Sequence, residues 1–460
     1  MNRFSVWIAA LGLAIPLRAV GEATNAPPRP GVVKQIDVVV TRVDPSVIRK
    51  ELAFKEGEEL TPAKLDESRK NLNKLNLLRS LEIEQKWDDT LNGYRVTVKA
   101  NDGWFFLPLP MFGSRGGETF AALMLMEQNF FRRSEGITVV GAYSEGRYAG
   151  MLNFFIPHFS VMGGLQESVI DEYQYTDGAV NTKQFDDDAE RERPEDFGTI
   201  TNRYEKTENK VFARAGNRLT PWLRASAGVS FSSVRFDDGE PALPGGEGDF
   251  NSWTLSLNLG KEGRGDPAGQ GGGGLGGFGR IFGLGMAGVK DSQKPLPEIE
   301  MSPSLHLSLE RAETWLGSDE PFTKASVAAG YLTLFRDRSA LSVSAKGGWG
   351  DDLPASQKLS TGQRGFLAGV YAREYRGDSV AAASATYTRS FFRNMVGVLT
   401  TQVFGDYAVC WDGDEQGEKQ GVGFNLAYRF WRFPLPLGSG ATYSFDDENW
   451  QLSFAVGGMF

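Results

Sequence analysis

Apolar side chains recur at every second residue over stretch after stretch of this chain. Val422, Phe424, Leu426, Tyr428 and Phe430 alternate with Gly423, Asn425, Ala427 and Arg429. Trp253, Leu255, Leu257 and Leu259 alternate with Thr254, Ser256, Asn258 and Gly260, and Leu305, Leu307 and Leu309 with Ser304, His306, Ser308 and Glu310. Successive side chains of a strand point to opposite faces, so a period of two gives a strand with one apolar face. Repeated this often, the pattern predicts either a soluble β-sandwich or a transmembrane β-barrel.

The ends of the chain favour the barrel. Met1-Asn2-Arg3 is a short positive start and Phe4 to Leu17 an apolar run of signal-peptide length, interrupted by Pro16. Small residues at Ala19-Val20-Gly21 or Gly21-Glu22-Ala23 offer cleavage sites, so residues 1–23 are expected to be a signal peptide and residues 24–32 a Pro-containing linker. After this segment no run approaches the ~18–20 apolar residues of a spanning helix. At the other end Trp450, Leu452, Phe454, Val456, Gly458 and Phe460 share one face. That pattern resembles the terminal recognition strand of outer-membrane proteins, with Trp450, Phe454 and Phe460 carrying the signal and Gly458 departing from it.

Composition fits once the averaging is understood. A mean hydropathy of −0.31 and 41% hydrophobic residues would suit a large soluble protein, but lipid-facing and lumen-facing residues alternate in a barrel and the average is mild. A net charge of −9 argues against a nucleic-acid partner. The lone Cys410 excludes an intramolecular disulfide framework. His158 and His306 supply almost no material for a zinc site or a histidine triad. No enzyme activity, metal or cofactor is expected. Gly274-Leu275-Gly276-Gly277-Phe278-Gly279 matches a dinucleotide-binding string but lacks its strand–turn–helix setting. Arg264-Gly265-Asp266 and Arg376-Gly377-Asp378 resemble an adhesion tripeptide, a likeness that chance explains in a chain rich in these residues.

Strand-like runs from residue 103 to 460 number about sixteen, an even count that suits a closed bacterial barrel. The first two, 104–114 and 119–129, are the least well defined. Connections sort by length. Tyr175 to Asn202, with Asp186, Asp187 and Asp188, is expected on the outer side together with Phe236 to Phe250, Ala408 to Glu418 and the loop carrying Arg364. Arg218 to Trp222 and Phe391 to Asn394 belong to the opposite, periplasmic side. The long, Gly-rich Lys261 to Glu300 falls on the short-turn side and breaks the rule.

Residues 33–101 read differently. Val33 to Thr41 is strand-like, Asp44-Pro45 and Thr61-Pro62 are helix starts with a capping side chain followed by proline, and strands are expected over Ser80 to Trp87 and Tyr94 to Ala100. The order β-α-α-β-β predicts a small α/β domain with helices on one face of a three-stranded sheet. With the run Asn73-Lys74-Leu75-Asn76-Leu77-Leu78-Arg79-Ser80-Leu81-Glu82-Ile83, this segment resembles a polypeptide-transport-associated (POTRA) domain. Such a sheet leaves an edge at which an unfolded polypeptide can add a strand.

In order, these pieces resemble the BamA/TamA family of outer-membrane assembly factors, with two-partner secretion transporters as cousins. That family holds a V-R-G-F-like motif in the loop between barrel strands eleven and twelve. Gln363-Arg364-Gly365-Phe366 stands in that loop, with glutamine at the first place, and Tyr375-Arg376-Gly377-Asp378 closes it. Phe404-Gly405-Asp406-Tyr407-Ala408 resembles the family's strand-thirteen stretch, with alanine in place of a usual glycine. Asp406 shares parity with Thr400 and Gln402, opposite Leu399, Val403 and Tyr407, and is expected to face the lumen.

The resemblance implies a non-enzymatic outer-membrane barrel that helps insert, assemble or translocate polypeptides. Its small domain would lie in the periplasm; the lipid bilayer, unfolded client polypeptides and periplasmic accessory proteins would be its partners. A passive channel, and a structural barrel without insertase activity, are the alternatives. A bidentate carboxylate best offsets the cost of burying a guanidinium, so Arg364 is expected to pair with Asp406 and pin the loop inside the barrel. Arg364→Ala should then lower both the unfolding temperature of the barrel and client assembly; unchanged values of both would remove the pair.

Overall fold

The structure is a computed structural model that describes residues 31–74, 78–102, 106–115, 118–127, 130, 135–144, 146–156, 159–181, 199–220, 222–240, 246–260, 299–335, 339–361, 367, 369, 373–393, 396–430 and 436–457. The expected signal peptide, the acidic stretch 186–196, most of the Gly-rich 261–300, the motif at 363–366 and Phe460 lie outside the described residues. Two compact units divide at residue 103.

The first unit has strands β1 (Val33–Val39), β2 (Leu78–Asp88) and β3 (Gly93–Asp102), with helices α1 (Pro45–Glu51) and α2 (Pro62–Lys74) between β1 and β2. Asp44 caps α1 by accepting the Ser46 N–H at 2.8 Å, and Thr61 accepts that of Lys64 at 3.3 Å ahead of α2. Both helices therefore begin where capping chemistry places them. The sheet order is β1-β3-β2, with β3 parallel to β1 and antiparallel to β2. Val33, Ile36, Val96 and Val98 from the sheet are buried with Ile48, Leu65 and Leu72 from the helices. The central β3 is covered on both sides, which leaves β1 and β2 as edges.

The second unit is a closed antiparallel sheet of sixteen strands. They are β4 (Phe106–Arg115), β5 (Glu118–Glu127), β6 (Gly136–Ser144), β7 (Arg147–Ile156) and β8 (Phe159–Tyr175); then, after the short β9 (Ala179–Asn181), β10 (Ile200–Thr220), β11 (Leu223–Glu240), β12 (Gly248–Gly260), β13 (Ile299–Ala312), β14 (Phe322–Phe335) and β15 (Ala340–Asp351). The loop pieces β16 (Leu359–Ser360) and β17 (Arg373–Gly377) precede β18 (Ser379–Arg393), β19 (Gly397–Asp412), β20 (Glu415–Phe430), β21 (Leu437–Ser444) and β22 (Asn449–Val456). β8 pairs with β10, β15 with β18, and β22 with β4, so the ring closes without β9, β16 and β17. Among the described residues no helix is long and apolar enough to cross a membrane, which bears only on helices.

Alternation sorts the two faces. Val403 and Tyr407 of β19 are exposed outward, whereas Phe404, Asp406 and Ala408 are buried inward. Aromatic side chains gather outside near both rims: Trp222 and Phe391 near the short turns, and Tyr143, Tyr148, Trp349, Trp411 and Trp450 near the other end. Two such girdles are what an apolar band set in a bilayer requires. The lumen face is largely polar, with Ser230 and Ser252 in contact at 3.0 Å and Ser256 and Ser308 at 3.2 Å. The first strands are the exception. Leu109, Met111, Met124 and Val140 are buried together on the lumen side, while Phe112, Leu123 and Val139 are exposed outside. With both faces apolar there is no alternation to see, which explains the weak signal of the first two runs.

One connection differs from expectation. Ala408 to Glu418 is not a loop: β19 and β20 stay paired up to Asp412↔Glu415, joined through Gly413 at φ 60°. Its charges are those of strand ends continuing past the apolar band. Within the described residues the last strand reaches Val456, and the following Gly457 takes a left-handed φ of 81° and donates its N–H to the Pro436 carbonyl at 2.8 Å. The Gly-rich 261–300 connection does leave from the short-turn end, between β12 and β13.

Three carboxylates of the small domain sit below the ordinary carboxylate range: Glu58 through its hydrogen bond with Lys64, Glu84 through Lys99, and Asp88 through Thr90. A depressed folded-state value adds stability above the unfolded-state value that is lost as pH falls through the folded one. The protection of the β2–β3 amides against hydrogen exchange, taken relative to the intrinsic rate at each pH, should therefore fall on acidification through and below the ordinary carboxylate range.

Candidate functional site

The loop between β15 and β18 does not stand out from the barrel rim. It carries Ser360, Thr361, Leu367, Arg373 and Glu374, all buried, and its side chains reach inward-facing residues on opposite walls. β16 pairs with β17 through Leu359↔Gly377 and Ser360↔Arg376. β17 pairs in turn with β9 through Arg373↔Asn181, Glu374↔Val180 and Tyr375↔Ala179. Thr361 locks this hairpin, donating its N–H to the Tyr375 carbonyl at 2.9 Å and accepting the Tyr375 N–H on its hydroxyl at 3.0 Å.

Arg376 is the pivot on one wall. Its two terminal nitrogens donate to the two carboxylate oxygens of Glu172 on β8, at 2.8 and 2.9 Å. The Tyr204 hydroxyl on β10 donates to the same carboxylate at 2.8 Å. Arg376 also donates to Glu374 at 3.1 and 3.2 Å, and the Ser360 hydroxyl holds the other Glu374 oxygen at 2.6 Å. Glu172 has no exposed surface, so its charge is tolerable only with this fork-to-fork pairing. Neighbouring Gly377 lets the loop approach the wall: a Cβ there would lie 2.1 Å from the Trp411 carbonyl oxygen. Arg376 and Gly377 thus fix the end of the loop, in the Tyr375-Arg376-Gly377-Asp378 stretch expected to close it.

Arg373 and Asp406 tie the loop elsewhere. Arg373 pairs with Asp177, stacks over the Tyr175 ring at 5.0 Å, and lies 3.8 Å from Asp447. Asp447 pairs with Lys419, which is fully buried on β20. Asp406 is buried and inward as expected. It accepts the Gly369 N–H at 2.6 Å on one oxygen and the Ser384 hydroxyl at 2.6 Å on the other, while Leu367 packs against Ala382 and Ala408. The same loop is therefore bound to β8 and β10 on one side and to β18, β19 and β20 on the other, and it spans the lumen.

Of the site residues expected from sequence, Asp406 holds this loop; Trp450 and Phe454 are exposed on the outer face of β22. Gln363, Arg364, Gly365, Phe366 and Phe460 lie outside the described residues. Glu172, Tyr204, Glu374, Arg373 and Lys419 escaped sequence reasoning. For Glu172 and Lys419 the one signal is a charge at a lumen-facing position of a strand, which leaves the partner unspecified. Among the described residues no group of three or more His, Cys, Asp or Glu side chains could hold a metal ion.

Residues 31–103 match the family model POTRA, described as surface antigen variable number repeat. BamA from Haemophilus ducreyi lacking POTRA domains 1–3 superposes with a TM-score of 0.55 at 11% identity, over 92% of this chain and 84% of that one. This chain has the fold of BamA. CdiB from Escherichia coli (TM-score 0.58, 14% identity, 92% of this chain and 76% of that one) and CdiB from Acinetobacter baumannii (0.58, 10%, 93% and 74%) share it. No curated protein sequence matches the chain. The BamA-like fold consists of a POTRA domain followed by a closed sixteen-stranded barrel, as the sequence led us to expect.

Removing the Arg376 side chain would strand the Glu172 carboxylate in a buried site. Arg376→Ala should destabilise the barrel by about 3–5 kcal/mol, the scale for breaking a buried ion pair. Arg376→Lys should recover little of it, since a point charge cannot reproduce the fork. The check is the temperature at which heat-modifiable mobility on gels is lost.

Proposed function

We propose that this protein resides in the bacterial outer membrane, where its barrel assists the insertion, assembly or translocation of polypeptides, its POTRA domain lying in the periplasm. The observation that carries this reading is the seam. β22 and β4 pair over four residues each, from Ser453↔Arg115 to Val456↔Phe112. Pairing between β8 and β10 runs from Ile200↔Tyr175 to Asn217↔Phe159. Within the described residues the seam is the shortest contact in the ring, so the closing ladder is its weakest point.

A short seam suits a barrel that trades strand pairs with another polypeptide. Backbone groups released into lipid must find partners, and an incoming strand supplies them. Lumen-side Leu109, Met111 and Met124 adjoin β4's free stretch, and methionine adapts to varied neighbours. The exposed β2 edge of the small domain offers a further strand-addition site, upstream on the client's route. Unfolded clients and accessory proteins are its proposed partners, with no catalytic step. The loop motif Gln363-Arg364-Gly365-Phe366, through an Arg364–Asp406 pair, would brace the interior during exchange, because Asp406 already holds this loop through Gly369.

The passive-channel reading finds less support, since described residues of the loop are held by a buried ion pair to β8 on one wall and by Asp406 and Ala382 on the other. A seam-locking test separates the two. Ser114 and Phe454 oppose each other across the seam. A Ser114→Cys/Phe454→Cys disulfide should abolish client assembly in reconstituted vesicles, with recovery on reduction. Full assembly by the oxidised protein would dismiss the insertase reading.

A further inference from the structure

A second lumenal feature lies apart from the seam. Between β7, β8, β10 and β14 and the segment at Ser356–Lys358 there is a cavity of about 160 Å³ whose walls are almost wholly polar. Arg147, Lys206, Lys210, Lys324 and Lys358 line it, against the acids Glu172 and Glu208.

The cavity keeps a positive excess after local pairing. Glu172 is taken by Arg376 and Lys358 by Asp412. Lys206 and Glu208 are 3.7 Å apart, and Lys324 donates to the neutral Gln357 amide at 3.1 Å. Glu310, hydrogen-bonded by the Ser252 hydroxyl at 2.7 Å, faces Lys324, Lys210 and Arg214. Lys210 makes no ion pair or hydrogen bond among the described residues. Lys210 and Lys324, from different strands, therefore line one polar cavity with the single carboxylate of Glu310 shared between them and Arg214. Like charges held together at a site of reduced dielectric repel strongly, and the arrangement is relieved by an anion with several acceptor oxygens. Ser168 of β8 and Ser356 of the loop segment also line the cavity, the Ser356 hydroxyl donating to the Gly246 carbonyl at 2.6 Å.

We propose that this cavity is a binding site for a phosphate-class anion, bridging the β8–β10–β14 wall to the loop segment Ser356–Lys358. Multiple lysine heads suit a tetrahedral dianion, which each can meet as a point charge. The volume leaves room beside the phosphate for an ester substituent, so a phosphate monoester is the fitting class, whether soluble or the headgroup of a lipid. The site is independent of whether the barrel handles polypeptides.

Calorimetric titration of the full chain in detergent at constant ionic strength tests it. Inorganic phosphate should bind saturably with one site, and acetate and chloride should not. Lys210→Gln and Lys324→Gln should each weaken binding about tenfold, the loss expected for one charge-assisted contact. Lys99→Gln, in the small domain, should leave it unchanged. Retained heat-modifiable mobility confirms that each variant is folded. Glycerol phosphate binding tighter than short-chain phosphatidic acid would assign a soluble ester and the reverse a lipid headgroup; either outcome upholds the phosphate class. Absence of saturable binding, equal binding of acetate, or unchanged affinity in folded Lys210→Gln would overturn the proposal.

Discussion

A lipid bilayer offers no hydrogen-bond partner to a backbone amide, and the large unit of this protein is organised by that fact. Every strand must be paired on both sides, so the sheet has to close. Fifteen strand-to-strand contacts can be long, but the sixteenth joins the two ends of the barrel sequence and has no hairpin to set its register. Among the described residues it holds four residues per strand. Gly113 sits in this ladder where a Cβ would come 2.2 Å from the Phe454 carbonyl oxygen, so the closing backbones approach closely over a short distance. Closure is complete enough to satisfy the ring and brief enough to be its weakest contact.

Closing a sixteen-stranded ring creates a second difficulty, a lumen too wide for wall side chains to fill. The loop after β15 resolves it by folding inward, and doing so places charges in a confined space. Each is matched: Arg376 with Glu172 and Glu374, Arg373 with Asp177, Lys419 with Asp447. Buried pairs of this kind contribute little net stability over apolar packing, but breaking one is costly. They therefore specify where the loop lies more than they strengthen the barrel. At the wall around Lys210, by contrast, Glu310 is shared among Lys210, Lys324 and Arg214, and the proposed anion would complete the matching.

Much of this was legible in the sequence wherever a strand has one apolar and one polar face. β12, β13 and β20 declare themselves by alternation, and Asp44-Pro45 and Thr61-Pro62 announce both helices through local capping chemistry. The inward orientation of Asp406 followed from parity alone. β4 and β5 were faint because both of their faces are apolar. The β19–β20 turn was mistaken for a loop because its strands continue, charged, beyond the apolar band.

The sequence by itself determined the element order, the two-domain division of the fold, the strand count and the face on which each strand residue lies. These depend on periods of two and on caps spanning three or four residues, all local quantities. Only the tertiary structure decided which lumenal charges meet. Glu172 and Arg376 are separated by 204 positions and share no pattern; their pairing exists because the ring closes and the loop then crosses it. The shortness of the seam is likewise a property of closure, since neither β4 nor β22 encodes how much of its edge the other will cover.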